Sequence, residues 1–475
     1  MADLCLDKRG LRDWVENLWE EEIVPELIEY IAIPNKSPLF DPDWAANGHM
    51  ERAVSQIEAW CKSRPIEGLV VEVIRLEGRT PLIYMEVPGR SDDTVLLYGH
   101  LDKQPEMVGW REDLGPWKPV REGEKLYGRG GADDGYSAFA SLAAIEGVKR
   151  FGGEHARCVV IIEGCEESGS FDLPYYIEHL QERIGDVSLV VCLDSGCGDY
   201  ERLWSTTSLR GMVAGDLRVD ILREGVHSGD ASGVVPSSFR ILRHLLSRIE
   251  DPATGEITLP ELHASIPAPR VDQATQAASV LKTDTYAQFP FVEGASTMAA
   301  SPAEAVINRT WRPTLSVTGA SGLPALTDAG NVLRPHSAVK LSFRLPPSTA
   351  WEPAAKALKD ALEADPPYGA KVSFTAEKGA KGWDAPPLAD WLADSVEYAS
   401  TTYFENSAAY MGEGGTIPFM GMLGDRFPKA QFLITGVLGP QSNAHGPNEF
   451  LHLTTGKRIT CCVAQVLVDH VTRTA

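Results

Sequence analysis

The sequence of 475 residues is too long for one ordinary hydrophobic core and predicts two or three domains. It is 43% hydrophobic and 23% charged, and no apolar run approaches the roughly 18 residues of a membrane span, so a globular protein without a membrane partner is expected. The formal net charge of −22 argues against a nucleic-acid partner, because a phosphate-binding surface needs concentrated lysine and arginine.

The N-terminal segment and the cysteines favour a cytoplasmic protein. Residues 1–22 are charged and amphipathic, and they lack the apolar centre and the small-residue cleavage site of a secretory signal. The eight cysteines include no CxxC pair, and several lie in apolar runs. This pattern favours buried thiols in a reducing compartment over a cysteine-bound metal.

Residues 1–207 alternate between strand-like and helix-like patterns. Short apolar runs at 94–100 (TVLLYGH), 158–164 (CVVIIEG) and 188–194 (SLVVCLD) are typical of strands covered on both faces. Between the first two runs, apolar residues recur at helical spacing over 136–151. The order strand, helix, strand predicts the first part of an α/β catalytic domain, with a mostly parallel sheet sandwiched by helices.

The pattern changes from residue 208. Apolar and polar residues alternate over 212–221 and 338–345, as they do in strands with one covered face, and a helical pattern lies between them. This predicts an inserted α+β domain over 208–384. A buried strand within 429–439 then returns the chain to the α/β pattern, so 385–475 is predicted to complete the catalytic domain.

Acidic residues and histidines follow the predicted strands where each strand ends. Ligands of open α/β sheets bind beyond the carboxyl ends of the strands, so these side chains are expected to lie near one another. A glycine-rich turn (LYGRGGADDG) and a late loop (SNAHGPNE) contribute further candidates. The candidates in chain order are His100, Asp102, Asp133, Glu166, Glu167, Asp194 and His445.

Imidazole and carboxylate groups of this kind are the ligands of catalytic zinc, and also of manganese and cobalt. Two such ions about 3.5–4 Å apart can share a bridging carboxylate and a water, whose pKa they lower. An isolated His-x-Asp or Glu-Glu pair is more typical of solvated surface, but several strand-end clusters in this order are not. The sequence therefore predicts a site for two divalent metal ions, zinc, manganese or cobalt, that can activate a water for hydrolysis.

The same motifs resemble those of a known family. The succession GHLDKQP, LYGRGGADDG, EGCEESGS, CLDSG, HSGDASG and NAHGPNE is similar to that of the dinuclear zinc metallopeptidases, which include carnosinase, cytosolic non-specific dipeptidase, aminoacylase and glutamate carboxypeptidase. The resemblance covers essentially the whole chain and is strongest to the dipeptidase and carnosinase branch. It implies hydrolysis of the peptide or amide bond of a small substrate, such as a dipeptide.

The resemblance also implies a ligand set. His100, Asp133 and Asp194 would hold one metal ion, and Asp133, Glu167 and His445 the other, so that Asp133 bridges the two.

Catalytic roles follow from the same resemblance. Asp102 would orient His100 and fix its tautomer. Glu166 would be the general base that takes a proton from the water and returns it to the leaving amine. Spacing alone leaves open which of the adjacent Glu166 and Glu167 binds metal, so that division depends on the resemblance.

In the inserted domain, the resemblance implies that His227 of GVHSGD donates a hydrogen bond to the developing oxyanion. Arg344 and Asn331 match positions that contact the substrate, and a guanidinium can bind a carboxylate in bidentate fashion. Gly414, Gly415 and Thr416 match a substrate-binding turn. Family members pair through this domain, which implies a ferredoxin-like lid and dimerisation domain and a homodimer in which His227 reaches the partner's site.

Two departures from the family pattern bear on the substrate. The dipeptidase pattern after the bridging aspartate is Asp-x-Lys-Gly, whereas Asp133 is followed by Asp134, Gly135 and Tyr136. Carnosinase-type enzymes also carry a histidine after the inserted domain that helps to bind the substrate carboxylate, and the corresponding stretch GWDAPPLADW has none. The metal site should survive, while the contacts at the start of the following helix should differ.

The motifs also bear on other functions. An N-acyl amino acid amidohydrolase is the alternative, since the same site cleaves either bond. A nucleotide-binding oxidoreductase is disfavoured, because the third glycine of a GxGxxG motif falls on Asp133. A serine hydrolase lacks a GxSxG elbow, and a non-catalytic metal-binding protein would have lost Glu166 or a ligand.

Overall fold

The computed structural model describes residues 6–473, so residues 1–5 of the predicted cytoplasmic N-terminal segment, Cys5 included, lie outside the described residues. The helices are α1 (Lys8–Leu18), α2 (Val24–Ile31), α3 (His49–Ser63), α4 (Ser137–Arg150), α5 (Leu173–His179), α6 (Gln181–Ile184), α7 (Ser228–Ala231), α8 (Ser238–Leu246), α9 (Ala268–Leu281), α10 (Asp284–Ala287), α11 (Pro302–Thr310), α12 (Trp351–Glu363), α13 (Asp390–Tyr403), α14 (Pro418–Arg426) and α15 (Leu453–Thr472). The strands are β1 (Val70–Ile74), β2 (Leu82–Val87), β3 (Thr94–His100), β4 (Val120–Glu122), β5 (Lys125–Tyr127), β6 (Arg157–Glu163), β7 (Val187–Cys192), β8 (Trp204–Leu209), β9 (Gly211–Asp220), β10 (Val226–His227), β11 (Thr314–Ser321), β12 (Val332–Leu333), β13 (His336–Leu345), β14 (Lys371–Ala380), β15 (Trp383–Asp384), β16 (Ala409–Glu413), β17 (Gln431–Ile434) and β18 (Phe450–His452).

The chain forms two units. Unit 1 runs to Thr206, resumes over Ala385–Met411 and continues from Met422, and unit 2 is Thr207–Asp384 with Gly412–Gly421. The last of these segments differs from the predicted boundaries, which placed all of 385–475 with the catalytic domain. Hydrogen bonds explain the difference, since Arg210 Nε donates to the Gly414 carbonyl and Arg344 Nη1 to Thr416 Oγ1.

Unit 1 is built on a six-stranded sheet in the order β1-β2-β6-β3-β7-β17. The pairs β3–β6, β3–β7 and β7–β17 are parallel, while β1 and β2 are antiparallel to their neighbours. The apolar runs of the sequence form β3, β6 and β7, and every residue of β3 is buried. The prediction of an α/β fold with a mostly parallel sheet is confirmed.

Helices complete the core of unit 1. Helix α4 is buried from Ser137 to Val148 and packs against β3 and α15. Helix α15 also packs against α13, and α1, α2 and α3 contribute apolar side chains to the same core. Because β3 lies between two parallel neighbours, the carboxyl ends of β6, β3 and β7 meet at one edge of the sheet.

Unit 2 is built on an antiparallel sheet in the order β11-β13-β9-β14. Burial alternates along β9 and β13, as the sequence pattern predicts for strands with one covered face. Helices α8 and α12 cover that face, and their apolar side chains form a core with Val213, Leu217, Leu341, Phe343 and Phe374. The chain order through this sheet is β9, α8, β11, β13, α12, β14.

Among residues 6–473, no helix combines the length and the hydropathy that a membrane crossing requires.

A buried histidine of α15 gives unit 1 a dependence of stability on pH. His470 is fully buried, its Nε2 lies 2.8 Å from Ser188 Oγ, and Trp391 packs edge-on at 5.6 Å. Burial and the positive charge of Arg473 lower the pKa of His470 to about 4, although the negative charge of Asp93 acts in the opposite direction. The unfolded chain, with a histidine pKa near 6.5, therefore binds the proton more tightly between these values.

The neutral, buried His470 therefore contributes to the free energy of unfolding above about pH 6.5, and this contribution is lost as the pH falls towards 4. Between pH 7 and pH 5 we expect the free energy of unfolding of the wild type to fall by about 2 kcal/mol through His470, and we expect this part of the fall to be absent in His470→Gln. Urea unfolding at both pH values, with chelator present, measures it, and the exposed His179→Gln serves as the control. Equal pH dependence in wild type and His470→Gln would contradict the assignment.

Candidate metal centre

The predicted ligands of unit 1 come from four segments at the carboxyl edge of the central sheet. His100 is the last residue of β3 and is fully buried. Asp133 lies in the turn Gly131–Gly135 before α4, and Glu167 lies in the short turn that follows β6. Asp194 follows β7 by two residues. His445 lies in the loop between β17 and β18, and its side chain is 55% exposed.

These side chains form two groups that share one carboxylate. In the first, His100 Nε2 lies 3.4 Å from Asp133 Oδ1 and 3.8 Å from Asp194 Oδ2. In the second, His445 Nε2 lies 3.1 Å from Asp133 Oδ2 and 3.4 Å from Glu167 Oε2. Each Asp133 oxygen thus faces a different histidine, which is the arrangement of a carboxylate that bridges two ions.

The spacing of these atoms fits divalent metal ions. Tetrahedral ligands at about 2.0–2.1 Å from zinc are about 3.3 Å from one another, close to the distances within both groups. His100 Nε2 and Glu167 Oε1 are buried and have no hydrogen-bond partner among residues 6–473. Buried polar atoms are normally paired, so both orphaned atoms are explained by coordination to an ion.

The charges at the site also call for cations. Burial and then the charge of Asp194 raise the pKa of Glu166 well above its ordinary value, and burial with the charge of Asp133 does the same for Glu167. Burial disfavours a charged His100, but the carboxylates of Asp102 and Asp133 outweigh it and raise its pKa. Coordination requires neutral histidines and ionised carboxylates, so metal binding would release protons here.

Asp102 holds the turn that carries the two glutamates. Its Oδ1 accepts a hydrogen bond from the backbone N–H of Glu166 and its Oδ2 from that of Glu167, both at 3.0 Å. The closest oxygen to His100 Nδ1 is the Asp102 backbone carbonyl at 3.1 Å, while Oδ1 lies at 3.5 Å. A proton on Nδ1 directed at that carbonyl leaves Nε2 free to bind metal.

Other buried polar residues support the ligands, and the ligand pattern of the sequence did not single them out. Gln104 Nε2 donates to Glu167 Oε2 at 2.6 Å. Arg129 pairs with Glu449, and its Nη2 donates to the carbonyls of His445 (3.2 Å) and Gly446 (2.7 Å). The sequence did carry a signal for the ion pair, because Arg129 lies within the LYGRGGADDG motif and Glu449 within the NAHGPNE motif.

The predicted substrate residues fall into two places within unit 2. His227 of β10 pairs with Val332 of β12, and the adjacent Ser228 N–H donates to the Asn331 carbonyl at 2.9 Å. The His227 side chain is 67% exposed, with Nδ1 3.6 Å from Asp230 Oδ2. The structure therefore brings His227 and Asn331 together.

Arg344 and the turn 414–416 form the second place. Arg344 Nη1 donates to Thr416 Oγ1 at 3.0 Å, and Thr416 Oγ1 donates to the Arg210 carbonyl at 2.5 Å. Gly415, between Gly414 and Thr416, is exposed. Among the described residues, the Arg344 guanidinium has a hydroxyl partner and no carboxylate within ion-pair distance, so a carboxylate ligand would not have to displace an ion pair.

Comparisons with known proteins extend these observations. The model of peptidase family M20/M25/M40 matches residues 96–469. The cysteinylglycine-S-conjugate dipeptidase of Corynebacterium striatum is 26% identical over 465 residues, which cover 95% of this chain and 96% of that protein. The human Beta-Ala-His dipeptidase is 26% identical over 351 residues, covering 72% of this chain and 68% of that protein.

Solved structures share the fold. Human carnosine dipeptidase 1 superimposes with a TM-score of 0.77 at 20% identity, covering 98% of this chain and 99% of that chain. The di-peptidase Dug1p from Saccharomyces cerevisiae superimposes with a TM-score of 0.76 at 20% identity, covering 99% of each chain.

Proposed function

The chain belongs to peptidase family M20/M25/M40 and is a metallopeptidase, and from this premise we propose that it hydrolyses dipeptides at a pair of divalent metal ions. One observation carries the proposal: Asp133 directs one oxygen to the group of His100 and the other to the group of His445. The relatives named as dipeptidases support the substrate class, since one of them matches the chain over nearly its whole length. The ligand set is compatible with zinc, because imidazole and carboxylate are both ligands of catalytic zinc, and we propose zinc as the bound ion with manganese or cobalt as alternatives.

Each predicted residue has a role in this reaction. When bound, the two ions would polarise the scissile carbonyl and lower the pKa of the attacking water. The Glu166 carboxylate lies in neither ligand group, and it takes the proton of that water and returns it to the leaving amine nitrogen. Asp102 keeps Glu166 in place through the backbone N–H of that residue.

Substrate contacts are proposed for unit 2. Arg344 and Thr416 bind the terminal carboxylate of the dipeptide, which a guanidinium and a hydroxyl can do together. Gly415 and Asn331 line the same substrate, and His227 donates a hydrogen bond to the oxyanion. The exposed side chain of His227 supports this role, because it is available to a ligand.

We also propose that unit 2 is a ferredoxin-like lid that pairs two chains into a homodimer. Its β-α-β-β-α-β order supports the fold assignment. Strand β11 lies at the edge of the sheet, and its residues from Ser316 to Ser321 are exposed. The outer edge of this strand can therefore pair with a strand of a second chain. Sedimentation and activity measured at the same concentrations test the pairing, and fully active monomers would contradict it.

A cytoplasmic location is proposed from the cysteines. The seven cysteines among residues 6–473 are all buried free thiols, which supports a reducing compartment.

Amine release from a mixed panel tests the function. The panel contains dipeptides and N-acyl amino acids, assayed first with added zinc or manganese and then with chelator. We expect dipeptides to be cleaved, with activity lost on chelation and restored by metal, because the attacking water depends on the ions. Preference for N-acyl amino acids would move the enzyme to the amidohydrolase alternative, and cleavage that survives metal removal would contradict the two-metal proposal.

A further inference from the structure

The residues after Asp133 depart from the Asp-x-Lys-Gly pattern of the dipeptidases. The structure shows which contacts Gly135 and Tyr136 make in place of the lysine and the glycine of that pattern. Tyr136 stands where that pattern has glycine, and its side chain is fully buried. Its hydroxyl donates to the Leu193 carbonyl at 2.6 Å. Leu193 is the residue directly before Asp194, so this hydrogen bond joins the segment of one predicted ligand to the segment of another.

Gly135 replaces the lysine of the pattern, and the surrounding atoms exclude a side chain there. A Cβ on Gly135 would lie 2.2 Å from Tyr30 Cε1 and 2.6 Å from the Gly130 carbonyl oxygen. The Tyr30 ring therefore occupies the space that a lysine would need. The Tyr30 hydroxyl donates at 2.7 Å to the carbonyl of Leu101, the residue directly after His100.

Two buried tyrosines thus surround the turn that carries Asp133. Tyr30 holds the backbone next to His100, and Tyr136 holds the backbone next to Asp194. The two tyrosine hydroxyls therefore support the two ligands that belong to the first group alone, and neither donates to the backbone next to Glu167 or His445. Contacts of this kind orient metal ligands, and their loss commonly weakens metal binding by about 10–100-fold.

We infer that Tyr136 is a positioning residue for the metal ion of His100, Asp133 and Asp194. It sets the distance of Asp194 from Asp133 through the Leu193 carbonyl, and it acts on one of the two ions. The inference rests on the proposed two-metal function, but metal affinity tests it without any substrate.

The experiment titrates metal-free full-length protein with Zn²⁺ against a chromophoric chelator. Tyr136→Phe keeps the buried ring and removes only the hydroxyl. We expect one of the two Zn²⁺ ions to bind about 10-fold more weakly or worse, while the other stays within about 3-fold of wild type. Absorption of the Co²⁺-loaded protein supplies a second readout, and the spectrum of one of the two ions should change.

Tyr176→Phe is the matched control. Tyr176 is also buried in unit 1 and its hydroxyl donates to a backbone carbonyl, that of Thr80 at 2.5 Å, which is next to no predicted ligand. Tyr176→Phe loses this hydrogen bond and also the one that its oxygen accepts from the Leu76 N–H at 3.2 Å, so its general loss of stability should be at least as large. Only Tyr136→Phe should make the affinities for the two ions unequal. Thermal unfolding of the metal-free proteins verifies that both variants fold.

The outcomes are distinct. Two ions bound by Tyr136→Phe with wild-type affinities and an unchanged Co²⁺ spectrum would overturn the inference and leave the proposed function standing. Equal weakening of both ions would also overturn it, because Tyr136 would then act on the whole site. Wild-type protein that binds fewer than two Zn²⁺ ions would overturn the proposed function and the inference with it.

Discussion

Glu166→Gln is expected to lower kcat by about 100- to 10,000-fold while two metal ions remain bound. The carboxylate of Glu166 belongs to neither ligand group, so the amide should leave the metal count unchanged. The amide cannot accept the proton of the attacking water, and the reaction loses its base and later its acid. Metal analysis and steady-state kinetics on one preparation measure both quantities.

The neighbouring glutamate is the natural comparison. Glu167 Oε2 lies 3.4 Å from His445 Nε2 and accepts a hydrogen bond from Gln104, so Glu167→Gln should lose the second ion together with activity. The two variants differ by one position and should separate a catalytic group from a ligand. If Glu166→Gln lost a metal ion and Glu167→Gln kept both, the roles of the two glutamates would be reversed.

Asp133→Asn should abolish the paired centre. Its two oxygens serve both groups, and an amide offers one oxygen and one nitrogen that carries protons. We expect fewer than two ions at saturation and a loss of about 4 kcal/mol of transition-state stabilisation, or about 1,000-fold in kcat/KM. Metal titration with kinetics measures the effect.

Asp134→Asn is the control for this variant. Asp134 is the adjacent residue, is equally buried, and accepts a hydrogen bond from the His100 backbone N–H at 3.3 Å, but it belongs to neither ligand group. It should keep two ions, since an amide oxygen can accept the same hydrogen bond. Two ions and near wild-type kcat/KM in Asp133→Asn would show that another group bridges the metals.

Sequence reasoning reached the family and the central sheet because both depend on local patterns. The runs TVLLYGH, CVVIIEG and SLVVCLD are apolar throughout, which predicts strands buried on both faces, and they form β3, β6 and β7. Parallel strands bring their carboxyl ends to one edge, so a residue at the end of each run could be placed near the others. The roles of Glu166 and His227 stay predictions until the variants are measured.

The hydrogen bonds that support the ligands could not be predicted from local sequence patterns. Asp102 is predicted to orient His100, and that role stays a prediction; what the sequence does not show is that the Asp102 carboxylate also accepts hydrogen bonds from the N–H groups of Glu166 and Glu167. The segment Gly412–Gly421 falls within the predicted catalytic part 385–475, because the pattern of a helix and a buried strand returns there, but it lies with unit 2. A composition pattern carries no information about which distant arginine, Arg210 or Arg344, holds the turn.

The sequence by itself determined the class of fold, the peptidase family and the set of candidate ligands. Residue type and periodicity show which segments are buried strands and which polar residues follow the ends of those strands. Only the tertiary structure decided that Asp133 faces two histidines and that Tyr136 reaches Leu193. The physical reason is that a hydrogen bond or a ligand pair needs atoms within about 3–4 Å. Packing brings together residues 57 positions apart for Tyr136 and Leu193 and 320 apart for Arg129 and Glu449, and no local pattern encodes that proximity.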